Sequence, residues 1–100
     1  MKWHVTGVDY HVSDHTNEYL EQKFHRLGHF ADILDEVKIT IAKETHEYRV
    51  EAQTHFKWGG ETIHVEQRER ELWPALDHLF DKLDAKLSKE KEKHQDHQKH

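Results

Sequence analysis

The sequence predicts an α+β domain of order β-α-β-β-β-α, a four-stranded mixed sheet with two helices packed on one face. Three observations carry that prediction. Short segments alternate apolar and polar residues, two longer segments repeat their apolar residues at helical spacing, and each strand offers only one apolar face for the helices to cover.

The first strand is Trp3–Gly7, where Trp3, Val5 and Gly7 share one face and His4 and Thr6 the other; Trp3 is expected in the core. Ser13 is a good helix N-cap, with Asp14 near the positive end of the helix dipole. Leu20, Phe24, Leu27 and Ala31 then recur at helical spacing, so a helix is expected over 14–29; Thr16 stands where a full capping box would need Glu or Gln. Val37, Ile39 and Ile41 alternate with Lys38, Thr40 and Ala42 as a second strand. Tyr48, Val50, Ala52, Thr54 and Phe56 alternate as a third. Gly59-Gly60 signals a hairpin into a fourth strand carrying Ile63 and Val65, because glycine accepts positive φ. The last helix shows Leu72, Leu76, Leu79, Leu83 and Leu87 in one stripe widened by Trp73 and Phe80, and Pro74 confines its start to Glu71 or Leu72. No apolar residue follows Leu87, so the helix is expected to end near Lys93. The domain is then 1–93, with 94–100 a disordered His-rich tail.

Short connections favour an antiparallel meander for the last three strands, and the helical crossover suits a parallel pairing of the first two. The sheet face away from the helices then carries His4, Thr6, Lys38, Thr40, Arg49, Glu51, His55 and His64.

One hundred residues hold one core. The absence of cysteine excludes disulfides, thiolate metal sites and thiol nucleophiles, and it agrees with a cytoplasmic setting. No apolar run is long enough for a membrane span or a secretory leader. Fifteen Lys and Arg against twenty Asp and Glu give a net charge of −5, which argues against gross nonspecific affinity for nucleic acid and leaves local patches open. Twelve histidines would turn that charge positive as the solution becomes mildly acidic, so a phosphate-bearing partner should bind more tightly at low pH.

Lys82, Lys86, Lys89 and Lys93 recur at i, i+4, i+7 and i+11. Four ammonium groups therefore line one stripe over roughly 17 Å of helix axis. Lys23 and Arg26 are neighbours on the first helix, and two helices packed side by side could merge both sets into one phosphate-tracking groove. The plainer reading is a solvated face balanced by Asp81, Asp84, Glu90 and Glu92. Trp58, near the hairpin tip, is placed either to stack on a base or to cover the turn. His94, His97 and His100 could form only a loose chelate, and His25 and His29 share a helix face without a third ligand, so no metal or other cofactor is expected. The only serines, Ser13 and Ser88, are a cap and a helix-end residue; no nucleophile with an oriented base exists, and no catalytic residue is assigned.

Taken together, Thr6-Gly7, Val12-Ser13, Lys23-Phe24-His25-Arg26-Leu27, Gly59-Gly60 with Ile63-His64, Glu71-Leu72-Trp73-Pro74-Ala75-Leu76-Asp77, Asp81-Lys82-Leu83 and the lysines to Lys93 form a pattern. It resembles the short ribosome hibernation-promoting factors, the ribosome-associated translation-inhibitor family of bacteria. The resemblance implies a fold similar to double-stranded-RNA-binding domains. It further implies binding to the small ribosomal subunit at the decoding region, where mRNA and the A- and P-site tRNAs sit, and silencing of translation by occlusion in stationary phase or stress. Carried over by position, Lys23, Arg26, Lys82, Lys86, Lys89 and Lys93 become the rRNA-facing residues. A short form of the family promotes ribosome dimers, with a ribosome modulation factor as a further candidate partner, or holds single ribosomes inactive; the brief stretch after Lys93 points to the first. No membrane, DNA or small-molecule substrate is implied. A generic RNA-binding module and a histidine-rich metal-binding protein are the competing classes. Thr16, Pro74, an additional residue near Trp58 and the many histidines depart from the family pattern.

Overall fold

A computed structural model describes residues 1–98, with side chains through residue 94. The chain runs through β1 (Lys2–Val8), α1 (Asp14–Arg26), a single 3-10 turn (Leu27–Phe30), β2 (Leu34–Lys43), β3 (Tyr48–Phe56), β4 (Ile63–Glu69) and α2 (Leu72–Gln98). The sheet order is β1-β2-β3-β4, with β1 parallel to β2 and the remaining neighbours antiparallel. This is the mixed sheet that the alternation predicts.

Register explains how one face becomes the core. Val5, Ile39, Ala52 and Val65 stand side by side across all four strands. Beneath the helices Val37, Ile39, Ile41, Val50 and Ala52 are buried, as are Leu20 and Phe24 of α1 and Leu76, Leu79, Leu83 and Leu87 of α2. Phe24 is the hinge of this packing. It stacks on Trp3 with ring centroids 4.7 Å apart and meets Phe80 edge-on at 5.5 Å, tying β1, α1 and α2 together.

Capping follows the sequence. The Ser13 hydroxyl accepts from the Thr16 amide at 3.1 Å, and the buried Thr16 hydroxyl bonds to the Tyr10 hydroxyl at 2.6 Å, which accounts for a polar residue at that position. Gly7 is required sterically, since a Cβ there would lie 2.0 Å from the Tyr10 carbonyl oxygen. Gly59 and Gly60 both adopt positive φ in the β3–β4 connection.

Four details differ from expectation, each for a physical reason. The α-helix ends at Arg26, and the 3-10 turn that follows, with its period of three, sends both Leu27 and Phe30 into the core. A register shift between Leu34 and Glu36 lets Leu34 and Val37, three residues apart, both face inward while Asp35 stays exposed. Trp3 points to the helix side but lies on an edge strand and remains 44% exposed, so it is not a core residue. Finally, α2 continues as helix to Gln98 instead of fraying after Lys93, giving the molecule extents of 50 × 22 × 20 Å. Residues 99 and 100 of the expected tail lie outside the described residues.

Candidate nucleic-acid interface

The functional side chains are positioned by α2, whose sequence carries two charged stripes of equal spacing. Lys82, Lys86 and Lys89 repeat the i, i+4, i+7 pattern of Asp77, Asp81 and Asp84, offset by five residues. Five residues turn an α-helix by about 140° beyond a full revolution, so the stripes lie on opposite flanks of the buried leucine face. The acid stripe meets α1 through Asp77, and the lysine stripe borders β4.

On the α1 side the Asp77 end of the stripe is paired. The Lys23 ammonium, only 14% exposed, sits 2.6 Å from Asp77 Oδ1, and the Tyr19 hydroxyl donates to the same oxygen. Burial, then the hydrogen bond and the charge of Asp77, push the Tyr19 phenol up to about 12. Burial alone would raise Asp77, but hydrogen bonds from Lys23 and Tyr19 outweigh it and hold the carboxyl below its ordinary value. The Tyr19 ring packs on Trp73 at 4.5 Å. Further along, the Lys91 ammonium donates to the His29 carbonyl at 2.9 Å and lies 3.4 Å from Asp32. This flank is a clasp between the helices.

The β4 side is different. Lys82 donates to the Glu66 carbonyl of β4 at 3.1 Å, and Lys93 lies 3.6 Å from Glu90 yet stays 75% exposed. Lys86 and Lys89 are exposed and have no ion-pair partner among the described residues. Two adjoining clefts run between this lysine row and the strand, one lined by Lys82, Ala85, Lys86 and His64, the next by Lys86, Lys89, Lys93 and Thr62. His78 bonds Glu69 at the upper end of the flank, and that bond is the main cause holding the Glu69 carboxyl below its ordinary value.

The expected single groove between the helices is therefore replaced by two separate surfaces. Lys82, Lys86, Lys89 and Lys93 come together as predicted, on the outer flank of α2. Lys23 is held in the interhelix clasp, where Asp77 neutralises it, and it does not join that row. Arg26 is exposed on the α1 side, near Tyr19, and is likewise apart from the row. Trp58 is 43% exposed and stacks with Phe56 at 4.7 Å and with His94 at 4.0 Å, so its ring already joins the hairpin to the end of α2. Sequence reasoning missed His64 and Thr62 as lining residues; His64 sits on β4 and Thr62 just before it, and only the roll of α2 toward β4 reveals them. It also missed the Lys23–Asp77 pair, 54 positions apart in sequence.

The opposite sheet face is a lattice of ion pairs centred on Arg49, which lies close to Glu44, Glu51 and Glu66, while Arg68 reaches Glu44 and Glu66. Among the described residues, no group of three or more His, Asp or Glu side chains is placed to hold a metal ion; His97 and His100 lie outside the described side chains. Among the same residues no helix is long and apolar enough to cross a membrane.

What fold and flank define is a small α+β binding module with a one-sided row of lysines. Comparison with known proteins identifies its class. The model of the family described as Sigma 54 modulation protein / S30EA ribosomal protein matches residues 3–95. A ribosome hibernation promoting factor of Azotobacter vinelandii is 32% identical over 93 residues, covering 93% of this chain and 85% of that protein. Its counterpart in Escherichia coli K12 is 29% identical over 97 residues, covering 97% of this chain and all of that protein. The solved structure of a ribosomal subunit interface protein from Coxiella burnetii superimposes with a TM-score of 0.82 at 26% identity, covering 91% of this chain and 98% of that one. The N-terminal domain of Thermus thermophilus Protein Y shares the fold at 23% identity, with a TM-score of 0.75, over 86% of this chain and 93% of its own. The chain belongs to the Sigma 54 modulation protein / S30EA ribosomal protein family.

Proposed function

We propose that this protein is a ribosome hibernation factor, acting in the cytoplasm, that binds the small subunit at the decoding region and silences translation by occluding mRNA and tRNA. The observation that supports the reading is the lysine row itself. Four ammonium groups on a rigid helix, two of them without ion-pair partners among the described residues, form a linear cationic edge on a chain whose net charge is −5. Such an edge can track a phosphate backbone by releasing its counterions, and the walls of a folded RNA supply specificity through shape. Lys82, Lys86, Lys89 and Lys93 are the phosphate-facing residues in this reading. Arg26 is a further contact from α1, and Lys23 acts through the clasp that sets the helix angle. Trp58 positions the end of α2, and its exposed part is what remains for a base. The activity consists of occupancy and needs no chemical step and no cofactor.

Cosedimentation with bacterial ribosomes in a sucrose gradient, at two salt concentrations, tests this. Stoichiometric comigration that weakens with salt and is lost in a Lys82→Glu, Lys86→Glu variant is expected. Protein remaining at the top of the gradient at low salt, with its fold intact, would refute the reading. A dimer peak, alone or with an added modulation factor, supports the dimer-promoting activity, whereas comigration with single ribosomes only supports the inactivating one.

A further inference from the structure

On the side of the molecule away from the lysine row, between β1 and α1, an open cleft of about 440 Å³ is lined by Met1, Trp3, Phe24, Gly28, Glu21 and His25. Its floor is apolar and rigid. The Trp3 ring is stacked on Phe24, which is 1% exposed, yet Trp3 itself remains 44% exposed. Its rim is anionic. Glu21 borders this cleft, and Glu18 and Glu21 together line the adjoining one, one helical turn apart on the same face of α1. Neither carboxylate has a hydrogen-bond or ion-pair partner among the described residues, and together they exceed the single ammonium of Met1.

We propose that this cleft is a second interaction surface and that its occupant is an arginine side chain from a basic peptide segment of a partner protein. The chemistry selects that occupant. A guanidinium stacks on an indole face while its edge donates to a carboxylate, and its methylene stem can lie on the apolar floor beside Phe24. Phosphate-bearing ligands are disfavoured by the same two glutamates, so the cleft does not extend the RNA-facing edge. It is the charge-complementary opposite of that edge. The molecule is thereby bipolar across its helical layer, cationic where α2 borders β4 and anionic with an aromatic floor where α1 borders β1. A body seated among RNA and basic protein segments could hold both at once.

The inference does not depend on the RNA reading, and its test needs no ribosome. The uniformly 15N-labelled full chain is titrated by NMR with a hexa-arginine peptide and, in parallel, with its hexa-citrulline analogue, which keeps the shape and lacks the charge. Saturable shifts of the Trp3 indole N–H and of backbone amides from Glu18 to Gly28 are expected with arginine and not with citrulline. Glu21→Gln should weaken the binding about fivefold, and Glu18→Gln, Glu21→Gln further. Trp3→Leu should abolish the saturable shifts across α1 while leaving the spectrum dispersed. The Lys82→Glu, Lys86→Glu variant should bind the peptide at least as well as the parent, which separates failure here from failure of the ribosome reading. Shifts centred on Asp81, Asp84 or the Arg49 lattice and unaffected by Trp3→Leu would overturn the proposal. So would preferential movement of the Trp3 signal by adenosine or uridine monophosphate, marking a nucleotide site, or by raising the protein concentration alone, marking a second copy of the chain.

Discussion

The two flanks of α2 carry charges of opposite sign at the same spacing, Asp77, Asp81 and Asp84 on one and Lys82, Lys86 and Lys89 on the other, and their surroundings differ. On the α1 side two contacts tie α2 to other elements, Lys23 with Asp77 and Lys91 with Asp32 and the His29 carbonyl, while Asp84, among the described residues, bonds only Ser88 of its own helix. On the β4 side Lys86 and Lys89 have no such partners among the described residues. A matched charge lowers the energy of one helix arrangement, whereas an unmatched one contributes little to folding and remains available to a ligand. The difference separates lysines that hold the fold from lysines left open to solvent and to a ligand, although a count of lysines along the helix would treat them alike.

That separation is best broken on the outer flank. Lys86→Glu with Lys89→Glu should lower ribosome affinity by about a hundredfold at moderate salt, since each lost phosphate contact both removes a counterion-release term and adds repulsion. The thermal midpoint should stay within about 2 °C of the parent, because exposed substitutions without partners are nearly neutral. A ribosome-pelleting titration and a thermal melt check the two halves. A large loss of stability with unchanged affinity would reverse the assignment of the flanks.

Asp77→Ala is the reciprocal test. It leaves the Lys23 ammonium and the Tyr19 hydroxyl half-buried without their acceptor, a loss of about 1–2 kcal/mol once the 43% exposure of the Asp77 side chain is allowed for. In a domain of this size that corresponds to a melting shift of about 5–10 °C. Ribosome affinity should change less than in the outer-flank variant. The clasp also has a pH signature. Because the folded-state pKa of Asp77 lies below its ordinary value of 3.8, its contribution is complete above that value and is lost as pH falls through the folded-state pKa. Acid unfolding curves of the parent and of Asp77→Asn should therefore converge at low pH, and a constant gap between them would dissociate Asp77 from the acid limb.

Much of this was legible in the sequence, and the omissions follow a rule. Period-two and helical spacing fixed the order of elements, the faces of Val37, Ile39 and Ile41, the Ser13 cap and the lysine stripe, because each depends on residues near one another in the chain. Spacing along a helix does not say how the helix is rolled on its sheet, so the row could be foreseen while its neighbours His64 and Thr62 could not. For the same reason the pairing of Lys23 with Asp77 leaves no local signal, since the partner lies on another element. Alternation likewise assigned Trp3 to a face but not to an edge, and edge position is what leaves it 44% exposed. The bulge at Leu34 and Glu36 left no pattern at all, since it works by interrupting one.

The smallest expected effect concerns how far the comparison extends toward the end of α2. Beyond Leu87 the helix has no apolar residue of its own, and its direction is set by the Lys91 contacts on one flank and the His94 stack on Trp58 at the other. His94→Ala removes this stack while leaving Trp58 on Phe56, and should cost about 0.5–1.5 kcal/mol, the range for an aromatic pair beyond its buried area. The melting midpoint should fall by a few degrees at most, less than for Asp77→Ala. Amide hydrogen exchange across Lys89–His94 should quicken severalfold, while exchange across Leu76–Leu83, inside the core, stays at the parent rate. Lys93 lies on the segment that loosens and Lys82 does not. The same variant should therefore flatten the salt dependence of ribosome binding by about one phosphate contact while leaving the remainder intact. An unchanged slope alongside faster exchange would show that Lys93 makes no ordered contact, and the row would then end at Lys89.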